Sequence, residues 1–408
     1  MTVALDVIDQ QLLDGRFGEA AAFAMGLLHE QAVASGAQRF LTLQGAHVAS
    51  AYDNTPVNLD FARELVRLQA RVRVPTTLTS CAFDTQRPLA DAPERQRELL
   101  QLHRAMGCQP ALTCAPYLGH AALAPKAVLA WCESSAIVYA NSVAGARCQR
   151  FPEFLDLCAA LTGRVPELGL LRPHARHAQL RVDVSAIPRN WFEDRWAFEA
   201  LGLWLGQECG QRIPALEGLP ASSSRRDLCA LGAAAAASGA LDMFHAIGLT
   251  PEAPDRIAAY GAQEPKASWT LTPAALETAA RALNRHRGAA LSALCLGAPH
   301  GWAEDARQLL AQLKGRAVAP GLRCYFATNQ AVLTALQRDG TAAQLRAAGV
   351  QLVTGRCTYY APTLPGCDGH VATTSAKWAW YARQQLDCDI SFLRLPEAVE
   401  AACEGRLP

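Results

Sequence analysis

The stretch His103-Arg-Ala-Met-Gly107-Cys-Gln-Pro-Ala-Leu-Thr113-Cys114-Ala-Pro116-Tyr117 decides the fold class, because a second stretch repeats its plan. The second runs Leu345-Arg-Ala-Ala-Gly349-Val-Gln-Leu-Val-Thr354-Gly-Arg-Cys357-Thr-Tyr-Tyr-Ala-Pro362. Each reads as a helix end, a glycine stop, a short apolar strand, then a cysteine and a proline-bearing loop. Glycine just past a helix tolerates the left-handed backbone that closes it. In parallel α/β sheets, ligands bind outside the carboxyl ends of the strands. Cys114 and Cys357 are therefore both expected where a site should be.

Working outward, helical and strand patterns alternate. The spacing predicts helices over 6–35, 61–69 and 94–106 and strands over 40–47, 71–74 and 110–113, with a longer apolar segment over 128–140. The middle, 151–261, is richer in helix signals. Ser222-Ser-Ser-Arg-Arg-Asp227 reads as a cap for the alanine-rich helix after it, and 261–272 reads as a linker. Alternation resumes with helices over 275–285, 302–313, 330–339 and one ending at 345–348, and strands over 293–296, 323–327 and 351–353. Such alternation implies βαβ units on a parallel sheet. The expected organisation is an N-terminal α/β lobe with a helical insert over 1–262 and a doubly wound lobe over 275–408. A cleft lies between them, with one of the paired cysteines on each side.

The chain has 408 residues, half of them hydrophobic, and a formal net charge of +1. That balance excludes a strongly basic nucleic-acid surface. Asp6, Asp9 and Asp14 fall where a secretory signal would be basic and then apolar, so a cytoplasmic location is expected. The fourteen cysteines then read as reduced thiols or metal ligands rather than disulfides. No apolar run reaches the ~20 residues needed to cross a bilayer.

Polar residues gather at the predicted strand ends: His47, Thr76, Thr77, Asp84, Tyr117, Glu133, Ser134, Asn141, Ser142, Arg147, His300, Ser375 and Lys377. Arg147 keeps two readings, a forked clamp on a carboxylate or a salt bridge to a neighbouring acid. Ser375-Ala-Lys377 pairs a nucleophile with a base only if the segment is a strand, since residues two apart on a helix point away from each other. No GxGxxG, P-loop, HExxH or CxxC pattern is present, so metal ligands must come from distant segments.

Several strings together are similar to one family. They are Gly45-Ala-His47-Val48, Val74-Pro-Thr-Thr77, Thr113-Cys-Ala-Pro-Tyr117, Glu133-Ser-Ser-Ala-Ile-Val-Tyr-Ala-Asn-Ser142 and Gly145-Ala-Arg147. Ala160-Leu-Thr-Gly-Arg164, Gly248-Leu-Thr-Pro-Glu252, Gly297-Ala-Pro-His300 and Thr374-Ser-Ala-Lys377 continue the series. From Leu12 to Gly405 the chain resembles the aconitase X branch of the aconitase superfamily, whose members dehydrate hydroxy acids. The resemblance implies an aconitase-like large subunit, with parallel-sheet lobes around a central cleft. It also implies an iron–sulfur cluster acting as Lewis acid, and a small swivelling domain or subunit that closes over it and brings a catalytic serine. No stretch here resembles that small domain, so a small-subunit partner is expected.

On this resemblance Cys114 and Cys357 are cluster ligands, while the third ligand position, a cysteine in the family's Gly-Cys-Pro-His, is Ala298. A family serine is replaced by Trp302. Three outcomes follow: a [2Fe–2S] cluster with a substitute ligand, a mononuclear iron, or a chain without a cluster. Cys295, Cys148 and Cys132 are the candidate substitutes. The implied reaction is loss of water from cis-3-hydroxy-L-proline to give 1-pyrroline-2-carboxylate. A phosphomevalonate-type dehydratase and a non-catalytic family member are the alternatives. His47 is expected to act as general acid, with Arg147 or Lys377 holding the carboxylate and Ser375 a fallback base. Thr76, Thr77, Tyr117, Ser134, Asn141, Ser142 and His300 are expected to line the substrate.

Overall fold

Chain order builds three parallel sheets in turn. The computed structural model describes residues 2–49, 56–118, 123–261, 263–286 and 290–407. The chain opens with α1 (Val7–Leu13) and α2 (Glu19–Ala34). A turn at 14–18 interrupts the single helix expected over 6–35. Then come β1 (Phe40–Thr42), β2 (Gly45–Val48), α3 (Pro56–Arg67), β3 (Thr76–Leu78), α4 (Glu94–Ala105) and β4 (Val128–Trp131). After α5 (Ser134–Val138), β5 (Arg147–Cys148), α6 (Leu155–Thr162) and β6 (Arg164–Pro166) complete this part. Its sheet has the order β3-β2-β4-β5, all parallel, and β1 pairs separately with β6 in an antiparallel ladder.

Several expected strands differ here. Residues 40–47 form two strands in two sheets, not one. Residues 71–74 form no strand, because the Val72 and Arg73 N–H groups donate to Met106 O and Ala160 O at helix ends. The segment 110–113 also fails to extend β3: Pro110 has no N–H to give, and Leu112 takes a φ of 43°. The apolar run 128–140 is only briefly a strand. It becomes the fully buried α5 at Ser134, since continuous apolarity marks a buried helix as readily as a buried strand.

The middle of the chain has a sheet of its own, ordered β10-β7-β8-β9 and parallel throughout. Its elements are β7 (Leu180–Asp183), α7 (Arg195–Cys209), β8 (Pro214–Glu217), α8 (Arg225–Gly239), β9 (His245–Ala246), α9 (Arg256–Tyr260), β10 (Ala267–Thr270) and α10 (Pro273–Arg281). The segment 261–272 is thus not a plain linker, because β10 forms the edge of this sheet. The expected cap of α8 is present: Ser224 and Asp227 exchange side-chain and backbone hydrogen bonds, which satisfies two otherwise orphaned donors.

The last part runs β11 (Leu291–Leu296), α11 (Ala303–Leu313), β12 (Arg323–Thr328), α12 (Gln330–Arg338), α13 (Thr341–Ala347) and β13 (Val350–Thr354). It ends with β14 (His370–Thr373), α14 (Ala376–Gln385), β15 (Asp389–Phe392) and α15 (Leu395–Glu404). The order β13-β12-β11-β14-β15, all parallel, is doubly wound. The chain builds outward from β11 and then returns to add β14 on its other side, so the topological switch point lies between β11 and β14. Gly107 and Gly349 end α4 and α13 at φ of 97° and 88°, the conformation the sequence plan required. One apolar cluster runs through Trp131, Val138, Phe198, Leu231, Cys357 and Trp378, joining the sheets beneath the site.

Candidate active site

Cys114 follows the irregular segment beside β3, and Cys357 follows β13. The fold brings both to one buried cavity, whose wall also includes Ala298, His300, Tyr359 and Lys377. The two cysteines expected as ligands and the altered third position, Ala298, therefore line one cavity. The His300 backbone N–H donates to Cys114 Sγ at 3.2 Å, and the Cys357 N–H donates to Cys81 O at 2.8 Å. Burial pushes the Cys114 thiol up to about 11 and raises that of Cys357 as well. Both are thiols until a cation replaces the proton.

A relay of polar groups fixes the Cys114 loop. His47 stands at the carboxyl end of β2; its Nδ1 lies 2.7 Å from Thr77 Oγ1 and its Nε2 lies 3.0 Å from Thr113 O. A carbonyl only accepts, so Nε2 carries the proton. Thr113 Oγ1 meets His300 Nδ1 at 2.9 Å, and His300 Nε2 faces Arg356 O at 3.2 Å. Burial lowers the His300 imidazole to about 4, so it is neutral at pH 7. His47, expected as a general acid, engages both ring nitrogens, one with Thr77 on β3 and the other with Thr113 beside Cys114.

Lys377 lies in the first turn of α14 and is 1% exposed. Its Nζ donates to Glu133 Oε1 at 2.6 Å and to Ser135 Oγ at 2.9 Å. Burial opposes the Lys377 charge, but Glu133 outweighs it and raises the ammonium pKa. Burial likewise opposes ionisation of Glu133, and Lys377 holds that carboxyl below its ordinary range. The pair is ionised, and its charge also bears on Cys114. Sequence reasoning assigned Glu133 no role; its place two residues past the apolar β4 was the available signal. Ser134 Oγ lies 3.5 Å from Glu133 Oε1.

Other candidates fall elsewhere. Ser375 caps α14, accepting from Trp378 N–H at 3.1 Å and donating to Ala298 O. Because the segment is helical, Ser375 and Lys377 do not meet, which removes the serine–lysine pair. Thr76 turns its hydroxyl back to Val74 O at 2.8 Å. Asn141 and Ser142 are structural staples: Asn141 Nδ2 donates to Cys148 O and Asp242 O, and Ser142 Oγ accepts from Phe244 N–H. Arg147 pairs in register with Val128 at the amino end of the first sheet, opposite the edge where His47 and Trp131 meet. That register does not fit the clamp reading of Arg147 beside the cysteines and leaves its salt-bridge reading untouched. Tyr117 stacks on Tyr139 at 3.8 Å, and its hydroxyl lies 2.8 Å from Cys229 Sγ.

Three consecutive family models match the chain: aconitase X first domain over 2–174, second domain over 178–281 and third domain over 291–404. The chain belongs to the aconitase X family. It is 36% identical to a cis-3-hydroxy-L-proline dehydratase of Pseudomonas aeruginosa over 99% of this chain and 70% of that one. It is 32% identical to a phosphomevalonate dehydratase large subunit of Methanothermobacter thermautotrophicus, over 88% and 89% of the two chains. The crystal structure of Thermococcus kodakaraensis aconitase X in its holo form superposes with a TM-score of 0.84 at 25% identity, covering all of both chains.

Does this aconitase X site fit an iron group? Among the described residues no set of three His, Cys, Asp or Glu side chains surrounds a single point. Cys114 and Cys357 supply two sulfur donors, and an N–H···S bond of the kind that supports a thiolate ligand is in place. The third corner carries the Ala298 methyl. The substitutes do not reach it: Cys295 Sγ faces Cys367 Sγ at 3.4 Å, Cys148 Sγ faces Trp131 O at 3.8 Å, and Cys132 lies against Asp156. The residues fit attachment through two thiolates, not three.

Proposed function

We propose that this chain is the large subunit of a hydro-lyase that removes water from cis-3-hydroxy-L-proline, giving 1-pyrroline-2-carboxylate. The observation that carries the reading is the convergence of Cys114, Cys357 and the Lys377–Glu133 pair on one cavity, in a chain 36% identical to a dehydratase of that substrate. Iron held by Cys114 and Cys357 would supply Lewis acidity to the departing hydroxyl.

The chain's own groups do the rest. An ammonium has three donors; Lys377 spends two of them on Glu133 and Ser135. The third serves a substrate oxygen, and Glu133 keeps the ammonium charged and fixed. The relay Thr77–His47–Thr113–His300 orients Cys114, so His47 and His300 are positioning residues. Proton removal from C2 falls to a small-subunit partner of the kind implied where relatives are named large subunits. A non-catalytic scaffold would account for Ala298, but it leaves a buried ion pair at the cavity without a purpose.

The test is turnover. The iron-loaded chain, purified without oxygen together with its small subunit, is assayed on cis-3-hydroxy-L-proline and on phosphomevalonate. Water loss from the first and not the second supports the reading; the reverse, or no turnover on either, overturns it.

A further inference from the structure

A second pocket adjoins the cysteine cavity, sharing Gly297, Ala298, Pro299 and His300 with it. It is lined by Arg195, Glu199, Arg226, Trp302 and Asp305 as well as by those four residues. It opens outside the carboxyl ends of β11 and β14, at the switch point of the doubly wound sheet, where ligands of such sheets bind. Trp302 and Tyr117, with ring centres 5.8 Å apart, form an aromatic wall.

Three ionisable side chains, Arg195, Glu199 and Arg226, line this pocket. Arg195 and Arg226 share Asp305, the first at 2.7 Å. Arg195 Nε also lies 3.9 Å from Asp227 Oδ1. The Nε atoms of both arginines are buried with no hydrogen-bond partner among the described residues. Glu199, on α7, is 4% exposed. One of its oxygens accepts the Ala376 N–H at 2.9 Å. That is a single bond for a group with about four acceptor sites.

We propose that this pocket recognises the charged end of a small cyclic amino acid, with Arg195 and Arg226 taking its carboxylate and Glu199 its ammonium. The proposal rests on the hydroxyproline reading and extends it, because the ring of a ligand held this way reaches past the small Ala298 side chain toward the cavity. The environment of Glu199 agrees: burial raises its carboxyl to about 8, so the acid lacks a full counter-charge, and an ammonium supplies one.

Binding of L-proline, which has no hydroxyl to lose, is measured by titration calorimetry on the iron-loaded complex beside furan-2-carboxylate, a ring acid without a basic nitrogen. Removing one partner of a buried charge pair weakens binding at least about tenfold. Glu199→Gln is expected to weaken L-proline by that factor while furan-2-carboxylate stays unchanged, and Arg226→Gln to weaken both. Unchanged L-proline binding in Glu199→Gln overturns the proposal. Equal loss of both ligands in that variant, or no binding to the unaltered protein, also overturns it. Failed turnover of cis-3-hydroxy-L-proline with this discrimination intact removes the proposed function and leaves the pocket standing.

Discussion

Lys377 Nζ lies 2.6 Å from Glu133 Oε1, and this one bond ties the first turn of α14 to the N-cap residue of α5. Removing one member of a buried pair strands the other charge and costs about 3–5 kcal/mol, whereas replacing both with apolar groups is often near neutral. Lys377→Met is therefore expected to lower stability in chemical denaturation by about that much, and Lys377→Met with Glu133→Leu to recover most of it. Both variants lose turnover. A single variant as stable as the unaltered chain contradicts a buried ionised pair.

Glu199 predicts a pH dependence. Unfolded, the acid ionises near about 4.3; folded, burial holds its proton to about 8. Between those values the folded state binds more protons than the unfolded one, so this group's contribution to stability falls as pH rises through that window. Glu199→Gln removes the slope. Melting temperatures of the two proteins from pH 5 to 8 are expected to diverge in favour of Glu199→Gln at the upper end, and parallel curves contradict the assignment.

Much of this fold is legible in the sequence because it depends on local chemistry. The glycine stops at Gly107 and Gly349, the Ser224–Asp227 cap and most elements of the last sheet follow from backbone preference and apolar period. What was not legible depends on partners distant in the chain. Val72 and Arg73 look like a strand until Met106 and Ala160 claim their N–H groups. The Cys114–Cys357 pairing was visible as a repeated plan, but Glu133 and Glu199 gain their meaning only from Lys377, Ala376 and Arg195, which no spacing rule places beside them. The placement of Arg147 has the same cause, because its register against Val128 sets which edge of the sheet it occupies.

Asn141 and Arg147 separate structure from substrate contact. Asn141→Ala leaves Cys148 N–H and two carbonyls without their partner, and each unmet buried group costs about 1–3 kcal/mol. A fall of at least about 2 kcal/mol in stability is expected. Arg147→Ala is expected to leave KM within about twofold, since uniform substrate binding is not its task. A large KM increase in Arg147→Ala contradicts its placement at the amino edge.

Ala298→Cys returns a thiol to the third corner of the cavity. Iron retained per chain after dialysis against a chelator is expected to rise above that of the unaltered protein, as a third sulfur donor adds to the two present. Equal retention contradicts the convergence of the three positions.

The most direct measurement is the initial rate of 1-pyrroline-2-carboxylate formation from cis-3-hydroxy-L-proline by the iron-loaded complex, run side by side with Cys114→Ser and Cys357→Ser. The account predicts turnover in the unaltered complex, with rate and bound iron lost together in both variants. No turnover by the unaltered complex, or an undiminished rate in either variant, would contradict it.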